Sequence, residues 1–137
     1  MLFKRELRYA ARSSKWPALR KEHLKTQPCC QACGSERKPE VHHIVPVHLD
    51  PSRELDPSNL ITLCDKWCHF VFGHLLDYRS WNKDVVRDAR QYLEKRRTRP
   101  YKSKEGKDYE IFNWYHATVF DSSINDPDDN YGGYQTR

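Results

Sequence analysis

This sequence predicts a small α+β domain in which two short antiparallel strands and a following helix are pinned together by four cysteines. Three observations predict it. Two cysteine pairs, Cys30/Cys33 and Cys64/Cys68, stand about thirty residues apart. Between them lie two β-branched runs, residues 40–45 and Leu60-Ile61-Thr62-Leu63. The chain is short and polar, 137 residues with 37% hydrophobic and 31% charged. That length fits one domain, but the core is modest and such a core commonly needs a metal or disulfide staple.

The elements follow in order. Residues 1–28 read as a basic N-terminal arm and helix. Within them, residues 16–26 form the helix: Pro17 suits a first turn, Trp16, Leu19 and Leu24 share a face, and Pro28 ends it. Residues 29–78 form the pinned core. Cys30-x-x-Cys33-Gly34 has the shape of a zinc knuckle, with Gly34 relaxing the backbone beyond it, and Cys29 is the spare thiol unless it replaces Cys30 in the pair. The strands are joined by residues 46–59, an irregular loop because it holds Pro46, Pro51 and Pro57. Helix follows Cys64, through Cys68, His69, Phe70, Val71, Phe72, Leu75 and Leu76. Residues 79–100 form a basic C-terminal helix, clearest over 82–98, where Val85, Val86, Ala89, Tyr92 and Leu93 repeat at helical spacing, Asn82 caps and Pro100 stops. Residues 101–137 are aromatic, then acidic, and read as a partly disordered tail with a weak strand signal around Tyr109, Ile111 and Asn113.

Charge is uneven. Residues 1–99 carry 20 Lys+Arg against 12 Asp+Glu, or +8, and residues 100–137 carry 4 against 7, or −3. A basic body suggests a polyanion partner, with Arg20, Lys21, Lys25, Lys95, Arg96, Arg97 and Arg99 as candidate phosphate contacts. The bland explanations are a solvated face and, for the second group, a favourable helix dipole. No apolar stretch could span a membrane and no signal-peptide core follows Met1, so an intracellular, cytoplasmic protein without a membrane partner is expected. In a reducing compartment paired cysteines are better read as metal ligands than as disulfides. Cys30, Cys33, Cys64 and Cys68 would close a tetrahedral structural Zn²⁺ site that ties the first strand to the helix and does no chemistry itself.

The chemistry lies in the histidines. His42 and His43 are neighbours on a strand, so they face opposite sides and take different roles. His69 directly follows Cys68, and helix packing on the strands would return it to the first strand. A neutral imidazole can take a proton from water near neutral pH, and a divalent cation can neutralise charge on a phosphate. An amide such as Asn59 can hydrogen-bond the base histidine and orient it. His74 stands five residues after His69, ~140° around a regular helix, so the two are not expected to share an ion, although Gly73 could permit a break. His48 could touch phosphate or be a plain surface residue; for His23 and His116 no role is expected. Trp67 and Trp81 are expected to pack around the core.

Taken together, Cys30-x-x-Cys33, His42-His43-Ile44-Val45-Pro46, Asn59-Leu60 and Leu63-Cys64-x-x-x-Cys68-His69 resemble the HNH endonucleases, the ββα-metal or His-Me finger family, in the subgroup with a four-cysteine zinc site. The likeness covers about residues 29–76, and Phe72-Gly73-His74-Leu75 is similar to small phage-type members. The second cysteine pair holds one residue more than the family's usual two, which bears on where His69 points. Phe70-Val71-Phe72 stands where a basic residue is common. The resemblance implies that His43 is the general base, His42 (often Asp in relatives) and His69 the ligands of a catalytic divalent ion, and Asn59 the orienting amide. It implies hydrolysis of double-stranded DNA by nicking or cutting, leaving 5′-phosphate and 3′-hydroxyl ends, with other phage DNA-processing proteins as possible partners. Mg²⁺ or Mn²⁺ is the first expectation for the ion, while imidazole ligands also suit Ni²⁺, Co²⁺ or Zn²⁺. The alternative is a zinc-stabilised DNA-binding or assembly module without catalysis, a module that has no need of His43, Asn59 and His69 together.

Overall fold

The computed structural model describes residues 11–65 and 67–98. Arg99, His116 and the tail beyond them, like most of the N-terminal arm, lie outside the described residues. The described elements run α1 (Trp16–Thr26), β1 (Pro39–His43), β2 (Leu60–Cys64), a π-helical turn (His69–Gly73) and α2 (Val85–Thr98), with 3₁₀ turns at Pro51–Arg53 and Pro57–Asn59. No described helix is long and apolar enough to cross a membrane.

The strands pair antiparallel, with Pro39 opposite Cys64, Val41 opposite Thr62 and His43 opposite Leu60. An isolated two-stranded ribbon is marginal in water, and this one is supported on its outer edge. Gln31 N–H donates to Thr62 O, and the Gln27 side chain accepts from Thr62 N–H at 2.6 Å. The loop between the strands is ordered by its aspartates: Asp50 and Asp56 each accept from the amide two residues on and so start the two 3₁₀ turns.

One core runs through both ends of the fold. Cys30, Ala32, Ile61, Leu63, Cys64, Cys68, Val71, Phe72, Leu75, Val85, Ala89 and Tyr92 form a contiguous buried cluster, with Trp67 packed at its margin. Phe72 meets Tyr92 with ring centroids 5.2 Å apart, which docks α2 on the π-turn. The helical spacing of Val85, Ala89 and Tyr92 predicts that face, and Val86 is exposed outside it. The helix begins three residues later than the sequence suggests. Asn82 still serves its start, accepting from Asp84 N–H through Oδ1 at 2.9 Å. Its buried amide also donates to Phe72 O and to Asp88, so it ties the π-turn to α2. α1 has no fully buried residue; Trp16, Leu19, His23 and Leu24 are half-buried on one face and Arg20, Lys21 and Lys25 are exposed.

The segment after Cys68 differs from expectation. It is a π-turn rather than a regular α-helix, closed by Leu75 and Leu76, both at positive φ (54° and 65°). Successive left-handed leucines are costly. Here Leu75 is buried and Leu76 packs on the core, which holds the bend in place.

Candidate active site

Four sulfurs and three imidazoles gather into two separate clusters on this small scaffold, joined through the consecutive Cys68 and His69. Cys30, Cys33, Cys64 and Cys68 bring their sulfurs within 4.8 Å of one another. None forms a disulfide. A tetrahedral zinc with Zn–S bonds of ~2.3 Å needs sulfurs ~3.8 Å apart, and Cys33 and Cys64 stand at 3.9 Å. The set therefore fits Zn²⁺. Sulfur–sulfur hydrogen bonds hold the Cys33 thiol far below its usual range and bring Cys64 down to about 6, while Cys30 and Cys68 are pushed up. Two of the four thiols are thus eased towards the thiolate form that a cation requires, and Cys30 and Cys68 would give up their protons to the ion itself. Gly34, at φ 73°, turns the chain out of the knuckle. Cys29 points away, towards Glu36, and is the spare thiol.

The histidine cluster is His42, His69 and His74, whose ligand atoms also lie within 4.8 Å of one another. Ring centroids are 4.9 Å (His42–His69), 5.1 Å (His42–His74) and 4.9 Å (His69–His74) apart, nearly an equilateral triangle. The expectation that His74 stands apart from His69 is corrected. A π-turn bonds residue i to i+5 and so stacks residues five apart, much as an α-helix stacks residues four apart. With the extra residue before Cys68, His69 still reaches His42, with His42 Nδ1 3.0 Å from His69 Nε2.

Proton positions follow from the partners. His69 Nδ1 lies 2.5 Å from a Glu40 carboxylate oxygen, which can only accept, so His69 Nε2 presents a lone pair to the cluster. His74 Nδ1 donates to Ser80 O at 2.9 Å, which frees its Nε2 in the same way. His42 Nε2 is buried without a partner. His69 Nε2 and His74 Nε2 thus converge with His42 Nδ1 as the ligands of a divalent cation would. Adjacent ligands at metal–nitrogen distances of ~2.0–2.1 Å stand ~2.9–3.4 Å apart, which brackets the His42–His69 spacing. Burial, and then the neighbouring His69 and His74, hold His42 well below its ordinary pKa; burial foremost lowers His74. These two rings are thus kept neutral, as ligands must be. Gly73 makes the approach possible: a Cβ there would stand 2.9 Å from His42 Cε1 and 3.1 Å from His69 Cδ2.

His43 faces the other side of β1, as strand alternation requires. Its Nε2 donates to Glu54 O at 2.9 Å, leaving Nδ1 as its basic nitrogen. Trp16 of α1 covers its ring at 4.5 Å, and the Arg12 guanidinium sits 5.0 Å over Trp16. Burial first, and Arg12 to a lesser degree, lower the His43 pKa against the raising effect of the Glu54 carbonyl.

Asn59 does not touch His43, contrary to expectation. Its side chain accepts from Val45 N–H at 2.8 Å and donates to Val45 O and Arg53 O. Fully buried, it braces the interstrand loop that carries Glu54, so it acts on His43 through the loop backbone. His48 is exposed in that loop and outside both clusters. Glu40 was not legible as functional from its type, although period-2 alternation places it on the His42 face. The Trp16–His43 contact had no sequence signal.

Residues 30–69 match the HNH endonuclease family model. The matched stretch holds both cysteine pairs, His42, His43, Asn59 and His69, and it stops before Gly73 and His74. The cysteine cluster is compatible with the zinc subgroup of these proteins. No curated protein and no solved structure matches the chain. The HNH region points to nuclease or nucleic-acid-related activity, with both clusters able to hold metal.

Proposed function

We propose that this protein is a metal-dependent HNH endonuclease that hydrolyses DNA phosphodiester bonds with His43 as general base. The observation that carries the reading is the split across β1: the ligand atoms of His42, His69 and His74 converge on one side, and His43 keeps an uncommitted Nδ1 on the other. His43 Nδ1 takes a proton from the attacking water, with Nε2–H anchored on Glu54 O and the ring held by Trp16. The water oxygen bonds to phosphorus as the bond to the 3′ oxygen breaks, and that oxygen takes its proton from solvent, leaving 5′-phosphate and 3′-hydroxyl ends. A divalent cation held by His42, His69 and His74 would neutralise charge on the phosphate and the leaving oxygen. Glu40 and Ser80 O fix the tautomers of two of those rings. Mg²⁺ or Mn²⁺ is the first candidate, and three nitrogen donors favour Ni²⁺, Co²⁺ or Zn²⁺ as well.

The exposed cations Arg20, Lys21 and Lys25 on α1, with Lys95 and Arg97 on α2, suit the backbone of double-stranded DNA and a salt-sensitive affinity. We place this activity in the cytoplasm. The test is supercoiled plasmid incubated with Mg²⁺, Mn²⁺ or Ni²⁺. Wild type should nick or linearise it, and His43→Ala should be slower by about 10²- to 10⁴-fold. Binding without cleavage under every ion would leave the zinc-stabilised, non-catalytic module as the function.

A further inference from the structure

Beside the histidine cluster, Tyr78 stands 66% exposed. It is held firmly for so exposed a ring. Phe70 stacks on one face with centroids 4.7 Å apart and planes at 27°, and His74 lies 5.1 Å away at a tilt of 52°. The segment that carries it is fixed at both ends. Leu76 N–H donates to Phe70 O, Asp77 N–H to His74 O, Ser80 N–H to Asp77 O, and Arg79 N–H to the Asp77 carboxylate. The strained pair Leu75 and Leu76 folds this segment back over the cluster, and Ser80 O in turn holds His74 Nδ1. Backbone strain that aims an exposed aromatic at a metal-ligating histidine calls for a functional reason.

We propose that Tyr78, backed by Phe70, is a stacking platform for an unstacked nucleobase adjoining the scissile phosphate. This rests on the nuclease reading and narrows its substrate. The substrate at that position is DNA whose base is out of the duplex stack, as in a single strand, a flap or a mismatch. One face of the ring is covered by Phe70 and two thirds of the residue is exposed, so a base can extend the stack. A nucleotide whose phosphate lies at His42, His69 and His74 has its base within reach of Tyr78, because His74 touches both. Exposed Arg79 flanks the ring and suits the adjoining backbone. A duplex base is already stacked on both faces and gains nothing there.

The test uses the zinc-loaded full chain in a His43→Ala background, so that binding is read without cleavage. The probes are a short single-stranded DNA carrying 2-aminopurine, the same strand with abasic sites, and a blunt duplex. Tyr78→Ala should weaken single-strand binding by about tenfold or more, abolish 2-aminopurine quenching, and leave the duplex and the abasic strand unchanged. Tyr78→Phe should behave as the parent. Undiminished single-strand binding by Tyr78→Ala overturns the proposal. So does an equal loss on all three probes, since the ring then only supports its turn. Plasmid cleavage by wild type reports on hydrolysis separately, so failure of the platform and failure of the nuclease reading are distinct results.

Discussion

The two clusters solve opposite problems with similar geometry. Each holds its ligand atoms within 4.8 Å of one another. The cysteine set has four donors that lose protons, three of them on buried residues and all but one within the hydrophobic core. Four charged donors close a tetrahedron and leave no open position. The histidine set has three imidazole donors, with His42 buried and His69 and His74 half-buried beside exposed Tyr78. Three neutral ligands bind more weakly and leave room for substrate. On the proposed reading the sulfur site serves folding and the imidazole site chemistry, so perturbing each should give a different failure.

The largest effect is expected at the cysteines. In zinc-finger peptides structural zinc supplies about 10–16 kcal/mol, more than a small domain's whole stability. Cys33→Ser, or removal of zinc by a strong chelator, should therefore unfold the protein, with loss of the circular dichroism of α1 and α2. His43→Ala, at a buried position outside the hydrophobic cluster, should keep the wild-type spectrum and its zinc. An unfolded His43→Ala would erase the division between the two sites.

Next in size is the third imidazole. His74→Ala, and Glu40→Gln on the His69 side, should each weaken the catalytic cation by about 10- to 100-fold while zinc content stays at one per chain. Calorimetric titration with Ni²⁺ or Mn²⁺ reads this directly. An unchanged affinity in His74→Ala would return the site to the two-histidine set that the sequence suggests.

How far the sequence reaches is visible in these same residues. The strands, the cysteine pairs and the α2 face follow from local patterns: β-branched runs, fixed cysteine spacing, and apolar residues at helical intervals. The opposed faces of His42 and His43 follow from strand alternation alone. The His69–His74 pairing does not, because a π-turn leaves no mark on hydrophobic periodicity and an α-helical wheel sends His74 elsewhere. Asn59 was found by its place in the motif, yet its partners, Val45 and Arg53, depend on how a loop with three prolines folds. Trp16 reaches His43 only because α1 packs across β1, a tertiary contact between residues 27 apart.

Gly73 offers a more modest perturbation of the same comparison. A methyl group at 2.9 Å from the His42 ring must displace it, and overpacking of this kind costs about 1–3 kcal/mol. Gly73→Ala should lower the melting temperature by several degrees, with slower cleavage at subsaturating metal, and leave zinc bound. Loss of zinc instead would mean that the two clusters are not separable through the π-turn.

The smallest effect is a shift in pH dependence. Burial lowers the His43 pKa below 6.5, its ordinary value. A general base works when unprotonated, so activity is present above the lowered pKa and is lost as pH falls through it. At saturating divalent cation, log kcat/KM should rise with unit slope through a midpoint below 6.5 and then level off. Trp16 supplies part of the burial, with its ring 4.5 Å from His43. Trp16→Ala should therefore move that midpoint up, towards the ordinary histidine value, at unchanged zinc content. A steeper limb would report protonation of His42 or His74 with loss of the cation, and would pass to unit slope as metal is raised. A midpoint that stays fixed in Trp16→Ala at saturating metal would remove Trp16 from the environment of the base and leave Glu54 O as the group that orients it.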